Sequence, residues 1–138
     1  IGKQVEAEGD AGQLKGGKAN YIYYLADDAE KITVTIKDKT GAIVYTSDQA
    51  PKAAGRNAFT WDGKDKDGNA MPEGTYTIQV AAKDRADKEI VSKTFITGIV
   101  TSVDSVNGAA YLSIGDDFLS IPLERVTSIR PAPQQPTT

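Results

Sequence analysis

The sequence predicts an all-β protein, and three observations carry that expectation. Apolar residues alternate with polar ones at period two in several separate stretches, as in strands with one buried face. Short runs rich in Val, Ile, Thr and Tyr are punctuated by Gly, Pro, Asn and Asp at the spacing of sandwiches and barrels. No segment sustains the i, i+3, i+4, i+7 pattern of an amphipathic helix. The 138 residues suit one domain or two small ones, and roughly nine to twelve short strands are expected.

Taken in order, Ile1 to Val5 can supply a first strand. In NYIYYL (20–25), Tyr21, Tyr23 and Leu25 share one face, and Ile22 and Tyr24 the other. One tyrosine side should be buried; Tyr24 is a candidate exposed interface anchor, since tyrosine is enriched at binding hot spots. KITVTIKD (31–38) sets Ile32, Val34 and Ile36 on one face and Thr33 and Thr35 on the other, a half-buried strand. Lys39-Thr40-Gly41 is a turn, with AIVYT (42–46) returning as hairpin partner. TYTIQVAAK (75–83) points Tyr76, Ile78 and Val80 inward and Thr75, Thr77 and Gln79 outward. IVSKTFITGIVTSV (90–103) is strand-like, with a bulge or bend expected at Gly98. DSVNGAA (104–110) reads as an exposed connection. AAYLSIGDDFLSIPL (109–123) reads as a hairpin through Gly115-Asp116-Asp117, its second strand ended by Pro122. ERVTSI (124–129) reads as one tight turn and a short closing strand. RPAPQQPTT (130–138), with three prolines and no large apolar residue, reads as a disordered tail or linker. LADDAEK (25–31) and KDRADKE (83–89) are read as solvated loops.

Composition excludes several kinds of chemistry. There is no cysteine and no histidine, which removes disulfide scaffolds, thiol and His-dependent catalysis, and the common zinc sites. A net charge of −3 and a pI near 4.9 argue against non-specific nucleic-acid binding. No apolar run reaches the roughly 18 residues that a membrane-spanning helix needs. Because the chain begins at Ile1 rather than Met, it is expected to be a fragment of a longer polypeptide.

The stretch WDGKDKDGNAMPEGTY (61–76) holds four Asp or Glu side chains and three glycines. Read as an EF-hand with Gly68 at position 6, it places Asp65 and Asp67 at positions 3 and 5. The two end positions then fall on Gly63 and Gly74, so both end ligands are missing and Glu73 lies one residue short. The physical reading is a rigid, twice-turned connection. Asp67-Gly68 makes one turn and Pro72-Glu73-Gly74 another. Asp62 and Asp65 accept backbone hydrogen bonds, while Trp61 and Tyr76 pack at the core edge. No catalytic, cofactor or metal residues are assigned.

The pattern Trp61-Asp62-Gly63, Asp65, Asp67-Gly68-Asn69, Pro72, Gly74-Thr75-Tyr76, with ITVTIKDKTGAIVYT (32–46) upstream, resembles the Ig-like domain of bacterial flagellar hook-capping proteins, the FlgD family. The resemblance implies an Ig-like or fibronectin III-like β-sandwich inserted into a small Tudor-like β-barrel. The implied boundaries are 1–17 for the first part of the barrel, 18–95 for the sandwich, 96–130 for the rest of the barrel and 131–138 for the tail. In a Tudor-like barrel Tyr111 and Phe118 are candidates for an aromatic cage, with core packing the favoured reading. The resemblance further implies a non-enzymatic scaffold without cofactor. It would retain exported hook subunits and promote their polymerisation at the distal, extracellular end of the growing hook. Its partners would be hook protein and, in the full-length protein, further copies of itself, with no nucleic acid or membrane. The family's N-terminal segment for export and assembly leaves no trace here. The alternatives are an Ig-like binding or secretion module of a large extracellular bacterial protein, and a calcium-dependent adhesion module.

Overall fold

The computed structural model describes residues 2–114 and 119–131. The alternating segments form strands β1 (Lys3–Glu8), β2 (Ala11–Leu14), β3 (Ala19–Leu25), β4 (Lys31–Lys37), β5 (Ile43–Ser47) and β6 (Gly55–Trp61). There follow β7 (Gly74–Lys83), β8 (Glu89–Ile90), β9 (Ser92–Val106), β10 (Ala109–Ile114) and β11 (Leu119–Pro122). A 3₁₀ turn (Leu123–Arg125) and β12 (Val126–Pro131) close the series. No α-helix occurs among the described residues, so the all-β expectation holds. The chain divides into two units, Gly9–Ile96 and the discontinuous set Ile1–Glu8 with Thr97–Thr138.

The first unit is a sandwich. One sheet runs β2-β7-β4-β5, with β8 also on β7; in the other, β3 lies between β6 and the start of β9. Period-two alternation explains the core directly. In β4, Ile32, Val34 and Ile36 are buried while Lys31 and Thr33 face solvent. They lie in register with Ala82, Val80 and Ile78 of β7. From the opposite sheet come Tyr21, Tyr23, Leu25 and Trp61. Asn57, a buried polar side chain on β6, is satisfied locally: its Nδ2 donates to the carbonyls of Ala53 (2.8 Å) and Gly55 (3.1 Å). The Tyr23 hydroxyl donates to the Pro51 carbonyl, and burial pushes that phenol up to about 12.

Residues 9–17, assigned to the barrel from sequence, group instead with the sandwich. Strand β2 pairs with β7, Gly12 opposite Tyr76, and Ile78 N–H donates to the Asp10 carbonyl at 2.8 Å. Gly12 is required there, since a Cβ would stand 2.6 Å from Tyr21 Cε1.

In the second unit the strand order is β11-β10-β9-β1-β12. Among the described residues, Val5, Ala7, Val100, Leu112 and Ile121 are its buried apolar side chains. The N-terminal strand is integral to this sheet, with Val5 opposite Ile129. Two expectations need correction, at residues 104–110 and at the closing strand. Strand β9 carries a bulge at Thr101, skipped between the pairs Ser113–Ser102 and Ile114–Val100. The Thr101 hydroxyl bonds the Ser113 carbonyl at 3.2 Å. Residues 104–110 are mostly strand, joined by a two-residue turn in which Asn107 (φ 52°) and Gly108 (φ 81°) both adopt positive φ, the geometry that Asn-Gly favours in hairpins. The closing strand continues through Arg130 to Pro131, where a terminal proline is tolerated. The Gly115-Asp116-Asp117 turn, Phe118 and the tail from 132 onward lie outside the described residues.

Candidate functional site

The loop 61–76 builds upward from its two aromatic ends. Trp61 closes β6 with 1% of its surface exposed. Its Nε1 donates to the Lys64 carbonyl at 2.9 Å, and its ring meets Tyr76 edge-on, centroids 4.8 Å apart. Tyr76 begins the inward series of β7, and its hydroxyl reaches back four residues to the Pro72 carbonyl at 2.7 Å. This is the tyrosine-corner device of Ig-type sandwiches. The buried Tyr21 hydroxyl donates to the Tyr76 carbonyl at 2.9 Å, so one aromatic cluster ties both sheets to the loop. Tyr76→Phe is expected to cost about 1 kcal/mol. A lower urea midpoint at unchanged slope would show it.

Between those ends the chain folds on itself. Gly63 accepts from Met71 N–H at 2.7 Å, and Lys64 bridges to Ala70. Asp62 Oδ1 accepts from Lys64 N–H at 3.2 Å. Glu73 caps the neighbouring β2–β3 turn, its carboxylate accepting from Gly16 N–H at 2.9 Å. Gly68 (φ 85°) and Gly74 (φ 148°) take backbone conformations that favour glycine.

Asp65 anchors a turn that recurs three times in the sandwich. In each copy an Asp at position i donates its N–H to the carbonyl of i+4, and its own carbonyl accepts from i+3. Its Oδ1 accepts the N–H groups of i+2 and i+4, and residue i+3 has positive φ. The copies are Asp38–Ala42, Asp65–Asn69 and Asp84–Lys88, with side-chain bonds of 2.9–3.0 Å. Position i+3 is Gly41 (φ 88°), Gly68 (φ 85°) and Asp87 (φ 63°). The acidic loops are thus one device, a carboxylate substituting for missing backbone partners. The fragments DKTGA and DKDGN carry its signal in the sequence; DRADK hides it, because Asp87 stands where the others have glycine.

These bonds set the carboxylates' acidity. The Thr40 hydroxyl, followed by the Ala42 and Thr40 N–H groups, holds the Asp38 carboxyl below its ordinary value. The Asn69 N–H, then that of Asp67, does the same for Asp65. A depressed folded-state pKa contributes stability that is present above the unfolded value of about 3.9 and lost as pH falls through the folded value. Denaturant midpoints should therefore fall in acid below about pH 4. Asp38→Asn and Asp65→Asn should flatten that limb, which midpoints measured across the acid range would show.

The remaining candidates fall elsewhere. Tyr24, a candidate exposed anchor from sequence, is half-buried, its ring edge-on to Phe95 at 5.0 Å. Its neighbour Ile22 is buried, because β9 pairs along this part of β3. Tyr111 is half-buried in the second unit. At the other end of the sandwich, Arg85 Nε approaches Glu30 Oε2 at 3.6 Å in an exposed pair. Asp28 accepts from Ala54 N–H at 2.8 Å. Among the described residues no group of three or more His, Cys, Asp or Glu could hold a metal ion. None of their helices is long and apolar enough to cross a membrane.

Two sheets, a tyrosine corner and Asp-anchored turns define an immunoglobulin-like module whose acidic loop organises backbone. The chain belongs to the family of the FlgD Ig-like domain, whose model matches residues 9–86. It is 35% identical over 91 residues to the basal-body rod modification protein FlgD of Escherichia coli K12, an alignment covering 66% of this chain and 39% of that protein. The corresponding protein of Salmonella typhimurium is 34% identical with the same coverage. The chain thus spans about two fifths of the curated relatives it matches. Two crystal structures are similar over 94% of this chain. FlgD from Pseudomonas aeruginosa has a TM-score of 0.77 at 28% identity, with 96% of that chain covered. FlgD from Xanthomonas campestris has 0.78 at 27%, with 93% covered, and is described as giving insights into the hook capping essential for flagellar assembly.

Proposed function

We propose that this chain is the scaffold portion of a flagellar hook-capping protein. The observation that carries the reading is the similarity to the Xanthomonas campestris hook-capping structure over 94% of the chain, a span that takes in both units and not only the residues matched by the family model. The parent protein would sit outside the cell at the distal end of the growing hook, after export through the flagellar secretion apparatus. There it would retain exported hook subunits and promote their polymerisation, acting with further copies of itself. The role is mechanical rather than catalytic. Asp38, Asp65 and Asp84 bond the backbone, and the motif from Trp61 to Tyr76 holds the sandwich edge in one conformation. The secretion-module alternative needs residues 98–129 to form a sandwich of their own. Their sheet instead incorporates β1, which favours the capping reading.

The test is made on cells. Deleting the parent gene should abolish hooks and release unpolymerised hook protein into the medium, with both defects reversed by the intact gene. Normal hooks and motility in the deletion strain would overturn the reading. The chain by itself is expected to be monomeric or weakly associating by light scattering.

A further inference from the structure

The second unit is built differently on its surface from the sandwich. Residues 9–96 carry 13 basic and 13 acidic side chains, whereas residues 1–8 and 97–138 carry 3 basic and 6 acidic, so the net charge of −3 rests on the second unit. Exposed large apolar residues gather there too. Among the described residues these are Ile99, Val103, Val106, Leu123 and Ile129, against Ile43 and Val91 in the sandwich.

Strand register places part of this apolar surface beside carboxylate. Tyr111 of β10 lies opposite Asp104 on one neighbour and Pro122 on the other, and Ala109 lies opposite Val106. Paired residues point to the same side of a sheet, so these side chains share the face opposite the buried Leu112 and Ile121. At the end of this face an open cavity of about 390 Å³ is lined by Ala109, Ala110, Tyr111, Pro122, Leu123 and Glu124. Leu123 is 45% exposed and Val106 53% exposed. The surface therefore combines an apolar floor, a half-buried aromatic ring and two exposed carboxylates, Asp104 and Glu124.

The geometry points to a docking surface for an extended segment of a partner protein that carries an aliphatic anchor beside a Lys or Arg. The aliphatic group fills the cavity against Tyr111 and Leu123. The cation lies toward Asp104 and Glu124, with the Tyr111 ring offering a further favourable contact. Charge complementarity selects this occupant, because an acidic segment meets like charge both at the cavity and across the unit. The inference goes beyond the scaffold reading and does not depend on it.

The test titrates the chain with a synthetic peptide alternating Val and Lys, and with its counterpart carrying Glu in place of Lys, following backbone amide NMR shifts. The Lys peptide should shift the amides of Tyr111 and Leu123, more weakly as salt is raised. The double variant Asp104→Lys with Glu124→Lys should weaken that binding roughly tenfold and favour the Glu peptide. Leu123→Ser, at an exposed position, should weaken the Lys peptide while leaving the sandwich amides unmoved. Equal affinity for the two peptides, or no shift at these residues, would overturn the proposal. Shifts that follow the concentration of the chain rather than of peptide would make a second copy the occupant, and would also overturn it.

Discussion

Replacing Trp61 by alanine is expected to lower the stability of the sandwich by about 3–5 kcal/mol. The indole is almost wholly buried in the core formed by both sheets. Its removal opens a cavity that Tyr21, Tyr76 and Leu14 cannot fill without leaving their own contacts. Two specific terms add to the lost burial: the edge-on contact with Tyr76, worth about 0.5–1.5 kcal/mol, and the Nε1 bond to Lys64. Total stability of a domain is about 5–15 kcal/mol, so the variant should be marginal or unfolded at growth temperature. Thermal and urea unfolding followed by circular dichroism would measure the loss. A variant within about 1 kcal/mol of the parent chain would contradict the placement of this ring in the core.

Gly63→Ala is the second large effect, and it arises from backbone rather than burial. Gly63 has φ 74°, where a side chain costs roughly 1–2 kcal/mol. A Cβ there would also stand 2.8 Å from Leu14 Cδ1. Leu14 cannot simply swing aside, since it is 1% exposed, and overpacking of this kind costs roughly 1–3 kcal/mol. The combined loss should be roughly 2–5 kcal/mol, against roughly 1–2 kcal/mol for alanine at Gly41, which has positive φ but no neighbour within 4 Å of its Cβ position. Comparing the two variants' urea midpoints separates the steric contribution from the backbone one. Equal losses would show that Leu14 yields freely.

The parts of the fold that show in the sequence are those where alternation survives. Strands β4 and β7 can be read residue by residue, since Ile32, Val34 and Ile36 face Ala82, Val80 and Ile78. The β10–β11 hairpin, ended by Pro122, and the turn into β12 are readable for the same reason. Strands β2 and β6 escape such a reading. β2 is four residues long and contains Gly12, whose role is to leave room for the Tyr21 ring rather than to bury a side chain. β6 places Asn57 on its buried face, where the carbonyls of Ala53 and Gly55 satisfy it. Those partners are invisible to any pattern of hydrophobicity. The boundary near residue 9 depends on β2 pairing with β7, a contact about 62 residues apart in sequence. Tyr24 read as exposed because alternation identifies the two faces of a strand but not what pairs along its edges. In the loop, Asp62 and Asp65 can be recognised as turn formers from local chemistry. The threefold recurrence of the Asp turn emerges only when backbone bonds are compared, since one copy replaces glycine with Asp87.

The central claim is that the acidic loop supplies geometry, and not charge or metal chemistry, to the hook-cap scaffold proposed above. The most direct test replaces Asp62, Asp65 and Asp67 together by asparagine in the full-length parent and counts hooks in the deletion strain. Asparagine keeps the side-chain oxygen that accepts the backbone N–H groups and removes the charge. The account predicts that hooks are restored to parental numbers. A variant that folds and is exported yet leaves the cells without hooks would contradict it.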